Sequence, residues 1–315
     1  MVIYMVRHLT KISDFSKDEC EKVINQAIKI KKDPEKHQMA LKGETLLMLF
    51  EKPSLRTRIS FETGMQQLGG HAIFYSITDS PLGKKENIQD TAKVASRYVN
   101  LIAARVFKRQ DIWDLAKYSE VPVINMLDDF AHPCQILADF MTIKEKKDQL
   151  SNLKLAYFGD AHNNVTYDLM RMCAIYGLRM DIACPSGVEY TPEQIVLDEV
   201  KELSKPTGAE VKVMHNSFKA AEGSDIIYTD SWMSYGIPAE KEEERKKAFM
   251  PFQVNLNVLK SAKKDVIFMN CLPAMRGYEQ TAEVIDGPHS IVYDEAENRL
   301  HAQKSLMLLL RNKFD

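Results

Sequence analysis

The hydrophobic and polar positions of the chain alternate between two kinds of segment. Short apolar runs, many of them β-branched, are each followed by a longer stretch with apolar residues at i, i+3 and i+4 spacing. The runs are ETLLMLF, HAIFYSI, NLIAARVF and VPVINML, and later LKLAYFGD, RMDIACP, AEVKVMH, DIIYTD and DVIFMNCLP. This alternation predicts βαβ units, and therefore an α/β fold built on parallel sheets.

A charged stretch divides this pattern into two halves. The segment KEKKDQLSN, Lys144 to Asn152, interrupts the alternation, which then starts again. We therefore expect two doubly wound parallel-sheet (Rossmann-like) domains joined near residue 145, with ligands beyond the carboxyl ends of the strands. The apolar stripe of LHAQKSLMLLLRNKF predicts a terminal helix that packs on a domain, and the charged KEEERKK from Lys241 predicts a solvated helical face.

The composition narrows the class of protein. With 45% hydrophobic residues, 13 glycines and 12 prolines in 315 residues, fibrous and disordered chains are excluded. A net charge of −2 gives no electrostatic basis for binding nucleic acid or a membrane surface. Five widely spaced cysteines without a CxxC pair, and the lack of a long apolar segment, predict a soluble cytoplasmic protein. The sequence has no dinucleotide-binding GxGxxG motif after a strand, no Walker loop and no HExxH motif.

A candidate anion site follows the first strand, in LFEKPSLRTRISFETG. The strand ends at Phe50, and Ser54 opens a helix whose first turn carries Arg56, Thr57 and Arg58. Free backbone N–H groups and the helix dipole favour an anion at such a helix start. The alternative is an ordinary serine cap beside surface arginines, and this segment alone leaves both open.

Two further positions in the first half face the same edge of the predicted sheet. Arg105 ends the strand NLIAA, where a guanidinium lies on the ligand side of a parallel sheet. Pro133 takes a first helical position, with His132 just outside the helix and Gln135 within its first turn. For the histidine taken alone, capping or packing is the simpler interpretation.

In the second half, Asp230 and Cys271 each follow a predicted strand, so a carboxylate and a thiol can converge on a positively charged amine. The simpler alternatives are a turn cap for the aspartate and a small buried hydrophobe for the cysteine. Arg299 is expected at the start of the last helix, either in a site or on the surface.

Taken in order, SLRTR, Arg105, HPCQ, GDAHNN, DSWMS, CLP and EAENR resemble the transcarbamoylase family. The CLP and EAENR motifs are similar to its ornithine-specific branch. The resemblance covers essentially the whole chain. It implies a carbamoyl-phosphate-binding domain of residues 1–145, an amino-acid (ornithine)-binding domain of residues 146–295, and a helix of residues 296–315 that returns to the first domain. It also implies a homotrimer, or a multiple of trimers.

The resemblance also assigns roles to individual residues. It implies that carbamoyl phosphate is held by Ser54, Leu55, Arg56, Thr57, Arg105, His132, Gln135, Cys271, Leu272 and Arg299, and ornithine by Asn164, Asp230, Ser234 and Tyr235. Within this set it implies that the catalytic residues are Arg105, His132, Asp230 and Cys271. Fixed cationic donors suit a dianion whose carbonyl becomes an oxyanion, and no metal or organic cofactor is required.

The predicted reaction is carbamoyl transfer from carbamoyl phosphate to L-ornithine, giving L-citrulline and phosphate. Leu55 departs from the family pattern at a position where the backbone donor is retained. Pro81 stands where relatives often have Gln or His, Tyr235 replaces a Met, and Asn270 replaces a His. These departures leave open another amine, such as putrescine or an N-acylated ornithine, and a non-catalytic paralogue.

Overall fold

A computed structural model describes residues 6–77, 86–234 and 237–314 of the chain. It divides into two compact units, Met1–Met141 with Glu297–Asp315 and Thr142–Ala296. Among the described residues, no helix is both long enough and apolar enough to cross a bilayer.

The elements alternate along both units. The strands are β1 (Thr45–Phe50), β2 (His71–Ser76), β3 (Leu101–Arg105), β4 (Val123–Leu127), β5 (Lys154–Phe158), β6 (Arg179–Ala183), β7 (Glu210–Met214), β8 (Ile226–Thr229) and β9 (Ile267–Met269). The helices are α1 (Lys17–Lys32), α2 (Leu55–Gln67), α3 (Ile88–Ala95), α4 (Arg109–Tyr118), α5 (Pro133–Lys147), α6 (Asn164–Tyr176), α7 (Gln194–Ser204), α8 (Ser217–Ala221), α9 (Glu242–Phe249), α10 (Leu256–Ser261), α11 (Ala282–Ile285) and α12 (Val292–Leu310). Short 3₁₀ helices cover Ile12–Asp14, Glu35–His37, Ala239–Lys241 and Met250–Phe252.

The first unit is built on a parallel sheet in the order β2-β1-β3-β4. Strand β3 is buried along its whole length, whereas β2 is an edge strand with every second residue exposed. Strands β1 and β3 are parallel neighbours, and successive strands are added on opposite sides of this pair. Phe50 of β1 lies opposite Arg105 of β3. Loops that follow these two strands therefore flank the crevice in which such sheets bind ligands.

The second unit holds a parallel sheet in the order β7-β6-β5-β8-β9. Helix α6 is buried from Val165 to Tyr176, which identifies it as a central element of the core. The strand order reverses between β5 and β8, so the loops after these strands flank the second ligand crevice.

The predicted fold class is confirmed, since each of the nine predicted strand segments contains one strand of a parallel sheet. The charged stretch from Lys144 is not a loop at its start, because α5 continues to Lys147. Both unit boundaries fall inside long helices, α5 and α12, so helices join the two units as expected.

Candidate active site

The predicted helix start at Ser54 is present at the carboxyl end of β1. The Ser54 backbone is extended, and its hydroxyl oxygen accepts a hydrogen bond from the Thr57 N–H at 3.4 Å. Within the described part of the chain, the N–H groups of Leu55 and Arg56 donate to no acceptor. The Leu55 side chain is apolar and 70% exposed, so the backbone N–H is the only group of this residue that can bind an anion. Two N–H donors at a helix start are thus available to an anion.

Arg299 is held against this helix start by neutral groups. Its Nη1 donates to Gln135 Oε1 at 2.6 Å and its Nη2 to Thr57 Oγ1 at 3.4 Å, all three residues being buried. With its amide oxygen turned toward the guanidinium, Gln303 accepts from Arg299 Nε at 3.1 Å and donates to Ser60 Oγ at 2.7 Å. These contacts fix the position of the guanidinium.

The expectation that Arg299 starts the last helix is wrong. Helix α12 begins at Val292, and its first turn carries Asp294 and Glu295. Carboxylates are favoured at a helix N-terminus because they face the positive end of its dipole. Arg299 therefore lies two turns into α12, on a rigid part of the helix.

His132 and Arg105 are both buried at the carboxyl edge of the first sheet. The His132 carbonyl accepts from the Gln135 N–H at 2.9 Å, so this residue lies just outside α5 as predicted. Burial lowers the pKa of His132 well below its usual value, and the positive charges of Arg299, Arg105 and Lys52 lower it further. The imidazole is therefore neutral at pH 7 and has one N–H to donate.

Lys52 belongs to the same cluster, although the sequence interpretation did not include it. Its side chain is buried, and Nζ lies 4.6 Å from the centroid of the Phe107 ring. Burial, and then the charge of Arg105, lower the pKa of Lys52 to about 8. Lys52 is the second residue after β1, so its position near the carboxyl edge of the sheet was visible in the sequence, whereas its burial was not.

The two arginines in the first turn of α2 differ in their surroundings. Arg56 is half-buried and makes no ion pair within the described ranges. Arg58 is exposed, donates from Nε to Glu62 Oε1 at 3.0 Å and stacks on the Phe74 ring at 3.8 Å. Arg56 is thus the one with charge available for a ligand, and Arg58 is engaged on the helix surface.

In the second unit, the structure brings Asp230 and Cys271 together. The Cys271 thiol donates to Asp230 Oδ1 at 3.2 Å, and the Ser231 N–H donates to the same oxygen at 2.7 Å. Burial raises the pKa of the Asp230 carboxyl, and the hydrogen bonds from Ser231 and Cys271 oppose this effect. A carboxylate in such a buried place favours a cationic partner.

Asn270 holds the backbone that follows β9. Its Oδ1 accepts from the Leu272 N–H at 2.8 Å, and its own N–H donates to Glu295 Oε2 at 3.0 Å. Its Nδ2 donates to Gln280 Oε1 at 3.2 Å. The asparagine found in place of the family's histidine thus fixes the segment that carries Cys271 and Leu272.

The other predicted amino-acid residues lie on loops after β5 and β8. Asn164 is the first residue of α6, and the preceding Asn163 caps that helix by accepting from the Thr166 N–H at 2.8 Å. Ser234 is partly exposed in the loop after β8. Tyr235 and Pro81 lie outside the described residues.

The prediction that KEEERKK forms a solvated helical face is wrong at one position. Glu243, Glu244 and Lys247 of α9 are exposed as expected, but Arg245 is only 7% exposed. Its guanidinium lies 4.9 Å from the Phe249 ring centroid and forms an ion pair with Asp160. A run of charges along the sequence does not show which side of a helix faces the protein.

In the described ranges, no group of three or more His, Cys, Asp or Glu side chains is arranged to hold a metal ion. The groups that converge are cations and neutral donors in the first unit, and a carboxylate–thiol pair in the second.

The side chains gathered at the carboxyl edges of two parallel sheets define a two-unit α/β protein with a candidate anion site in the first unit and a candidate cation site in the second. The carbamoyl-P binding domain of aspartate/ornithine carbamoyltransferase matches residues 7–145, and the Asp/Orn binding domain of that family matches residues 151–310. The chain belongs to the aspartate/ornithine carbamoyltransferase family.

Relatives of the same length support this assignment. The chain is 48% identical over 306 residues to an ornithine carbamoyltransferase of Thermococcus kodakarensis, with 96% of each chain covered. The solved ornithine carbamoyltransferase of Pyrococcus furiosus has a TM-score of 0.93 and 45% identity, with 100% of both chains covered. The ornithine transcarbamoylase structure from Giardia lamblia has a TM-score of 0.89 and 44% identity, covering 98% and 99% of the two chains.

Proposed function

We propose that this protein transfers the carbamoyl group of carbamoyl phosphate to the side-chain amine of L-ornithine, with release of L-citrulline and phosphate. The observation that carries the proposal is the start of α2, where backbone donors lie beside a buried Arg299 held only 3.4 Å from Thr57 Oγ1. Such a site is suited to a small dianion. Relatives that are 48% identical over their full length bear the name ornithine carbamoyltransferase, which supports the same reaction.

In the first unit, we assign the phosphate to the α2 start and the carbamoyl group to the cluster beside it. The phosphate ligands are Ser54, Leu55, Arg56 and Thr57, and the carbamoyl ligands are Arg105, His132, Gln135 and Arg299. Attack on the carbonyl carbon places negative charge on its oxygen, and donors fixed before the reaction stabilise that charge. A neutral His132 donates a hydrogen bond there without bringing another cation into a crowded cluster.

In the second unit, we assign the ornithine side-chain amine to Asp230 and Cys271. Asn164, Ser234 and Tyr235 complete the amino-acid site, while the backbone at Cys271 and Leu272 serves the carbamoyl group. The amine must lose its proton before it attacks. This first proton goes to solvent. A carbon–nitrogen bond then forms, the carbon–oxygen bond to phosphate breaks, and the leaving phosphate accepts a second proton from the attacking nitrogen. Either direction of this transfer uses the same groups.

We further propose a homotrimer, or a multiple of trimers, in a reducing cytoplasm. The exposed apolar side chains of Ile73 and Tyr75 on edge strand β2, with Leu55 and Ile59 on α2, support a subunit interface on the first unit. All five cysteines are described and none forms a disulfide, which supports a reducing compartment. Light scattering should give three times the chain mass, and Tyr75→Glu should lower it.

The test is an assay of purified protein with carbamoyl phosphate and a panel of amines: ornithine, N-acetylornithine, N-succinylornithine, putrescine and aspartate. Each mixture is scored for its carbamoylated product. We expect citrulline from ornithine and much less product from the others. A wide preference for putrescine or an acylated ornithine would contradict the substrate, and failure with every amine would contradict enzymatic function.

A further inference from the structure

We propose that Arg245 is a positioning residue for the amino-acid substrate, because its guanidinium joins the two loops that carry the proposed ornithine ligands. The inference rests on the proposed function and goes beyond it. Among the described residues, Arg245 makes no hydrogen bond or ion pair with a predicted ligand residue, and it acts through Asp160 on one loop and Trp232 on the other.

The contacts of Arg245 connect loops that follow neighbouring strands. Its Nη2 donates to Asp160 Oδ2 at 2.5 Å, in the loop after β5. Its Nε donates to the Trp232 carbonyl oxygen at 2.7 Å, in the loop after β8. The strand order reverses between β5 and β8, so these two loops flank the ligand crevice of the second sheet.

Hydrogen bonds connect Asp160 to the start of α6. Its Oδ1 accepts from the His162 N–H at 3.0 Å, and its carbonyl oxygen accepts from Asn163 Nδ2 at 3.0 Å. The Asn163 side chain in turn caps α6 by accepting from the Thr166 N–H. The next residue is Asn164, so the orientation of this predicted ornithine ligand depends on a loop that Arg245 holds.

Trp232 connects Arg245 to the loop after β8. It lies between Asp230 and Ser234, is 1% exposed, and stacks on Phe249 with ring centroids 5.7 Å apart. The loops also touch directly, since a Cβ on Gly159 would lie 2.9 Å from Trp232 Nε1. Gly159 has a φ of +112°, which L side chains rarely adopt. The two loops are therefore packed as one assembly, with Arg245 as its buried cationic link.

An arginine is suited to this role and a lysine is not. The planar guanidinium presents several N–H donors at fixed angles, so it reaches a carboxylate and a carbonyl together, whereas an ammonium is a point charge. Burial raises the pKa of Asp160 to about 6, and the charge of Arg245 is the largest influence that opposes this. Removal of Arg245 therefore leaves a buried carboxylate without its cation.

The experiment measures steady-state kinetics of the full-length protein with both substrates varied. The variants are Arg245→Lys, Arg245→Met and Asp160→Asn, and the matched control is Lys247→Met, an exposed cation of the same helix. We expect the KM for ornithine to rise about tenfold or more in Arg245→Met, and less in Arg245→Lys. The KM for carbamoyl phosphate should stay within about twofold, because its ligands in the first unit are untouched.

A double-mutant cycle separates positioning from a general loss of structure. If Arg245 acts through Asp160, the ornithine effects of Arg245→Met and Asp160→Asn are not additive. Equal losses for both substrates, or full additivity, would overturn the inference, as would unchanged ornithine KM in Arg245→Met. Should Arg245→Met not fold, Asp160→Asn and Arg245→Lys decide by the same KM comparison. Citrulline formation by the unaltered protein is measured first, so failure of the proposed function is seen separately.

Discussion

Arg56→Ala tests the helix-start site most directly. Arg56 is half-buried and its side chain has no ion pair or hydrogen bond among the described residues, so its removal breaks no such contact there. A charge-assisted contact to the transferring phosphate is worth at least as much as one oxyanion donor, about 3–4 kcal/mol. The kcat/KM for carbamoyl phosphate should therefore fall by about 10²–10³-fold, while the thermal midpoint of the ligand-free protein changes little.

Arg58→Ala is the control, since it removes the same charge from the same helical turn. Its contacts with Glu62 and Phe74 lie on the exposed surface, so the expected cost is in stability, about 1 kcal/mol. Catalysis by Arg58→Ala should stay within a few-fold of the unaltered protein. Near-normal kcat/KM in Arg56→Ala, or equal losses in the two variants, would refute the assignment of the phosphate to this helix start.

Three further predictions concern the buried groups. Lys52→Met should raise the thermal midpoint of the ligand-free protein by at least about 2 °C, because burial and Arg105 disfavour the lysine's charge. Carbamoyl phosphate should stabilise this variant less than it stabilises the unaltered protein. The imidazole of His132 should show no protonation by NMR between about pH 8 and 6, because burial and nearby cations hold its pKa below the usual value. Protonation of His132 in that range would contradict its role as a neutral donor. Cys271→Ala should raise the KM for ornithine roughly tenfold and Cys271→Ser less, since serine keeps a donor for Asp230.

The parallel fold was predictable from the sequence because its signal is local. Each strand is a short apolar run, and a run buried on both faces predicts a parallel sheet without knowledge of distant residues. Helix starts were predictable for the same reason, as Ser54 and Pro133 are positional signals at helix ends. The end of α5 was not predictable, because a charged stretch is equally typical of a linker and of the last turns of a helix.

The candidate site was predictable where it follows a strand, and less so where it depends on a helix surface. Asp230 and Cys271 were placed together because both follow strands of one sheet. Arg245 was missed because its burial depends on Asp160 and Trp232, which lie outside its own helix. Lys52 was missed because a lysine after a strand is usually solvated, and only the fold encloses this one beside Arg105.

The partners of the buried arginines separate binding from structural roles. Arg245 donates to a carboxylate, Asp160, so its charge is compensated within the fold and it serves to hold loops. Arg299 instead donates hydrogen bonds to the neutral groups of Gln135 and Thr57, which position its guanidinium beside the start of α2. Burial lowers the pKa of His132 most, and the charges of Arg299, Arg105 and Lys52 lower it further, since cations that attract a dianion disfavour an imidazolium. A chain with a net charge of −2 can therefore present a cationic site, because Lys52, Arg105 and Arg299 gather around His132 whereas Arg245 is paired with the carboxylate of Asp160.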